Sequence, residues 1–142
     1  MKILEEIKQW VDANNTVQRV AEDLQLTSEL ILLVRIMFAD GEIRKREMAD
    51  FKRICGRAFG IPEEDIPEVI QYLMDFGYET STDDAAVMFR EMPVERKHEL
   101  LLHMLSVAKA DEKLHHAEAD LIRRTADILG GDAQSLANIK KE

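Results

Sequence analysis

Four carboxylates stand out by their spacing. Asp40 and Glu47 are seven residues apart, Asp111 and Glu118 are seven apart, and the second pair follows the first by 71 residues. The neighbours repeat as well. The apolar run Leu30-Ile31-Leu32-Leu33-Val34-Arg35-Ile36-Met37-Phe38 leads into Ala39-Asp40-Gly41-Glu42-Ile43, and Leu101-Leu102-His103-Met104-Leu105-Ser106-Val107-Ala108-Lys109 leads into Ala110-Asp111-Glu112-Lys113-Leu114. Two related turns of this kind could supply four carboxylates to one divalent cation. Calcium takes roughly six to eight oxygen ligands, and magnesium takes fewer and keeps more water. Neither turn is an EF-hand loop, whose acids fall on alternate positions. The second also places Lys113 beside any such site.

The same residues admit a purely structural role. With Arg44 as N-cap, Glu47 is the third helical residue and can reach back to the N-cap amide while Ile43 packs on Met48. His115, Glu118 and Leu114 take those places in the second copy. A glutamate in the first turn also complements the helix dipole, and Asp40 and Asp111 can bridge turn amides.

The elements that carry these turns read as helices throughout. No window shows sustained period-two alternation, whereas apolar positions recur at helical spacing. One helix is expected from about residue 3 to 11, with Ile3, Leu4, Ile7, Trp10 and Val11 on one face, broken at Asn14-Asn15. Thr16 then caps a short segment, and Thr27 or Ser28 starts the apolar helix ending at Phe38. The next helix runs from about Lys45 to Phe59 with Gly60 after it, burying Met48, Phe51, Ile54, Cys55, Ala58 and Phe59. Asp65 and Glu68 make a capping-box pair for a helix ending at Gly77. Ser81 caps another, Pro93 opens one to about Lys109, and a helix from His116 to Leu129 stops at Gly130-Gly131. Asp132 can cap a short last helix. The expectation is an all-α single domain over residues 1–142, of seven to eight helices, with two pseudo-symmetric hairpins around one core.

Composition narrows the function classes. The net charge of −9 argues against nucleic-acid binding, which depends on neutralising phosphates. Residues 62–95 hold ten acids against one base, a net −9, and residues 44–57 hold six bases against two acids, a net +4. Solvated helix faces are the simpler account of this bipolarity; the functional one is a pair of differently charged surfaces that recognise protein partners. No apolar run nears the roughly 18 residues that cross a bilayer; peripheral membrane association stays compatible with the sequence. Acids appear too early for a secretory leader. Cys55 is the one cysteine, which excludes an intrachain disulfide and fits a reducing cytoplasm. Cys55 reads as a small buried hydrophobe, and His103 as a packed helix histidine. His115 and His116 point in different directions and read as exposed capping residues.

The strings Phe38-Ala39-Asp40-Gly41-Glu42-Ile43 with Glu47, and Ala110-Asp111 with Leu114, Glu118 and Leu121-Ile122-Arg123-Arg124, resemble the tellurite-resistance TerB-like family over about residues 27–131. The resemblance implies an all-helical fold of duplicated hairpins and metal binding through Asp40, Glu47, Asp111 and Glu118. It also implies a part in tellurite and chemical-stress responses, as a binding or scaffold module rather than an enzyme. The chain departs from that pattern where Glu112-Lys113 replaces glycine and a small or acidic residue. No catalytic triad, phosphate loop or nucleophile elbow is present. The expected function is therefore a non-catalytic module that binds a divalent cation, calcium or magnesium. The alternatives are a metal-dependent enzyme using the same carboxylates, and a structural adaptor whose turns are only caps.

Overall fold

The computed structural model describes residues 2–39, 41, 44–77, 80–110 and 114–130. These form seven α-helices: α1 (Lys2–Glu22), α2 (Leu24–Phe38), α3 (Lys45–Phe59), α4 (Ile66–Gly77), α5 (Thr82–Val87), α6 (Val94–Ala108) and α7 (His116–Leu129). A 3₁₀ turn, Glu63–Asp65, precedes α4, and no strand occurs among the described residues.

The expected break at Asn14-Asn15 is absent, and α1 runs through it as one helix. Asparagine costs well under 1 kcal/mol in a helix interior, a penalty that packing outweighs: Val20 is buried and Thr16 Oγ1 donates to Asp65 Oδ2 at 2.6 Å. The break falls instead at Asp23. Its carboxylate accepts from the Leu26 amide at 3.0 Å and caps α2. Thr27 and Ser28 are therefore interior helix residues, both buried, and Thr27 Oγ1 donates back to the Val20 carbonyl across the junction. Asp65, just before α4, is buried and accepts from Thr16.

Later punctuation follows the sequence. Gly60 ends α3 at φ 64°, ψ 32°, a left-handed conformation that glycine adopts without steric cost. Its N–H and that of Ile61 satisfy the Cys55 carbonyl. Ser81 Oγ accepts from the Asp84 amide at 3.0 Å, Pro93 N-caps α6, and α7 ends at Gly130, φ 103°. The helix expected after Asp132 lies outside the described residues.

Helix α2 organises the whole. It packs against each of the other six α-helices and buries eleven of its fifteen residues. Its counterpart in the sequence repeat, α6, buries five of fifteen, so the two copies are unequal in depth. Leu33, Ile36, Met37, Phe51 and Ile122 share one core cluster as expected, with Leu105 at its edge. Ala58, expected inside, is exposed, and Met48 and Phe59 are half-buried. Ile3, Leu4 and Ile7 are 69, 63 and 55% exposed, so the first turns of α1 add nothing to this core.

Phe51 is fully enclosed. Phe51→Ala should therefore lower unfolding free energy by about 3–5 kcal/mol, read from a denaturant melt; a near-neutral change would mean that the ring is not part of the core.

Candidate functional site

Both sequence-predicted glutamates sit at the same structural position. Arg44 and His115 are the extended N-cap residues of α3 and α7, which makes Glu47 and Glu118 third in their helices. Both lie on the apolar side of an amphipathic helix and both are 0% exposed. Their surroundings differ. Glu118 Oε1 accepts from the His115 amide at 3.3 Å, the reach-back expected of a capping glutamate. Its Oε2 is buried without a hydrogen-bond partner. Glu47 Oε1 instead lies 4.0 Å from the Arg44 guanidinium. Asp40 and Asp111, the other two members of the set, lie outside the described residues.

A second polar cluster escaped sequence reasoning. Glu29, in the middle of α2, is fully buried. Its Oε1 accepts from Arg96 at 2.5 Å and its Oε2 lies 2.6 Å from His103 Nδ1. Arg96 also bonds Glu99 Oε1 at 2.7 Å and lies 5.3 Å from the Phe89 ring centroid. The His103 ring meets Phe59 edge-on at 5.8 Å. Glu29, Glu99 and His103 bring carboxylate and imidazole atoms within 4.8 Å of one another, the only such group of three among the described residues. A guanidinium already bridges the two carboxylates, so the cluster is a satisfied ion network rather than an open cation site. The signal for it was present: Glu29 is the lone acid of a mostly apolar helix, and Arg96 and His103 are seven apart on another. Breaking such a buried pair from one side typically costs about 3–5 kcal/mol. Arg96→Met is thus expected to destabilise by about 3 kcal/mol, and Glu29→Met/Arg96→Met by less than the sum of the single changes; simple additivity in urea melts would contradict the coupling.

Cys55 faces the same region. It is fully buried, and burial, followed by the Glu29 charge, pushes its thiol up to about 12. In the unfolded chain the thiol ionises near its ordinary value of 9.0. Stability from this group is therefore intact below about pH 9 and is lost as pH rises towards 12. Since the thiolate is the reactive form, native protein at pH 8 should resist iodoacetamide and react promptly once denatured; equal rates in both states would overturn this burial. The folded thiol is poorly placed for oxidant chemistry.

A family model described as tellurite resistance protein TerB matches residues 25–141, a span that takes in both acidic turns and helices α3 to α7. No curated protein and no solved structure gives a significant match. On the strength of that span, more than half of the sequence, the chain belongs to the TerB family.

Proposed function

We propose that this chain is a non-catalytic cytoplasmic binding module that holds a divalent cation, calcium or magnesium, at its twin acidic turns. Glu47 and Glu118 would hold the ion with Asp40 and Asp111. The observation that carries the reading is the burial of both helix-start glutamates together with the unsatisfied Oε2 of Glu118. A glutamate that only caps a helix does so equally well at the surface. Enclosing an ionised carboxylate costs several kcal/mol unless hydrogen bonds or an opposite charge offset it. A bound cation supplies that charge, and hard oxygen donors suit calcium and magnesium. The ion would fix the two turns in place, and through them the starts of α3 and α7. The tellurite role rests on the family's name; a part in wider chemical-stress responses would extend it, and protein partners would be met through the charged surfaces.

One observation favours a second reading for the later turn. The bond from the His115 amide to Glu118 is what a pure cap would make.

Thermal melts with Ca²⁺, Mg²⁺ and Zn²⁺ separate the two. A cation at a hundredfold excess over Kd should add about 2.7 kcal/mol of stability. Glu118→Gln keeps an oxygen for the His115 amide but removes a charge, so it should abolish most of that gain. Asp40→Asn and Asp111→Asn should each reduce it while leaving the cation-free melt nearly unchanged. If all three cations leave the wild-type melt unmoved, the turns are caps and the cation reading fails.

A further inference from the structure

The outer side of α3 forms an open cleft of about 590 Å³ lined by Lys45, Met48, Ala49, Lys52, Arg53 and Glu63. The helical residues among these recur at the spacing of one helix face, with cations flanking a floor of Met48 and Ala49. Arg53 is tied to Asp50 at 2.6 Å. Lys52 has only a loose contact with Glu63 at 3.7 Å, and Glu63 is 77% exposed. Exposed pairs of that kind hold weakly, so an incoming carboxylate can replace Glu63. Among the described residues, no hydrogen bond or ion pair engages the exposed Lys45. The cleft therefore presents two available cations, seven residues apart, beside an apolar strip.

Helix α4 carries the complementary pattern on its exposed side. Glu68, Gln71, Met74 and Asp75 all face solvent, and Met74 is 52% exposed. Glu68 and Asp75 are also seven residues apart. At 1.5 Å per residue, both the cation pair and the acid pair span about 10.5 Å. Two turns of one helix thus match two turns of the other, charge to charge, with Met74 available to cover the Met48–Ala49 strip.

We propose that the α3 cleft is a self-recognition site that receives the acidic outer face of α4 from a second copy of this chain. The inference stands apart from the cation reading: of its residues only Lys45 falls within the 40–47 segment, and none is a proposed cation ligand. The two faces differ, so two copies can exchange them about a twofold axis and close, or each can engage the next head to tail. The overall charge of −9 makes copies repel at long range, so association requires these unlike faces to meet. It is therefore weak and strongly dependent on ionic strength.

Sedimentation velocity across a concentration series tests this directly. At low ionic strength the wild-type sedimentation coefficient should rise with concentration, and in 1 M salt, where the screening length is about 3 Å, it should return to the monomer value. Lys45→Glu, at a position with no ion pair to lose among the described residues, should by itself weaken association at least several-fold. Lys45→Glu/Lys52→Glu and Glu68→Lys/Asp75→Lys should each sediment as monomers, with helix content confirmed by circular dichroism. Mixing the two double variants should restore association, because each then offers the face that the other lacks. A wild type that stays monomeric at low salt overturns the proposal, as it would if the cleft served an acidic segment of another protein. Association that persists in 1 M salt, or in Lys45→Glu unchanged, overturns it as well.

Discussion

Enclosing carboxylates inside a helical core is the constraint around which this molecule is organised. Glu29, Glu47 and Glu118 are all 0% exposed, and Asp65 is only slightly less enclosed. An isolated charge in such a place would be driven out or neutralised, so each must be compensated where it sits. Glu29 is compensated most fully, by Arg96 and His103 reaching from α6 into the middle of α2. Because α2 touches every other α-helix, that network ties α6 to the element on which the whole bundle rests. Asp65 is held by the Thr16 hydroxyl, which clamps α1 over the start of α4. Charge compensation and helix packing are here one problem, since Glu29 and Asp65 each link two elements distant in sequence.

Glu118 is compensated less completely, with one backbone donor for two buried oxygens. Its contrast with Glu29 supports the cation reading. Where the fold needed a permanent counter-charge it supplied arginine at 2.5 Å. At Glu118, in the first turn of α7, it left a buried oxygen bare.

Much of the architecture was legible in the residues, because helix starts and stops carry local chemistry. Gly60, Ser81, Pro93 and Gly130 act at the positions their types predict. The errors arise where tertiary contacts outvote local preference: Asn14-Asn15 passes through the interior of α1, and Thr27 and Ser28 turn inward instead of capping. The second follows from Asp23, a stronger N-cap that starts α2 four residues earlier. Of the candidate site, the repeat located Glu47 and Glu118 at equivalent first-turn positions, and their full burial was beyond periodicity, which places a face but not its depth. The Glu29 network was missed because Glu29 falls opposite Leu100 in the repeat alignment and so has no counterpart to draw attention to it. Its partners lie 67 and 74 residues away, and no local rule joins them.

The central claim is that the buried turn glutamates serve a cation, and amide chemical shifts followed during a calcium or magnesium titration report on it residue by residue. The account predicts saturable shifts concentrated in residues 40–47 and 111–118, moving with a common midpoint and absent when Glu47 and Glu118 are both changed to glutamine. Amides in both turns that stay fixed through the titration, or that drift without saturating along with the rest of the acidic surface, would contradict it.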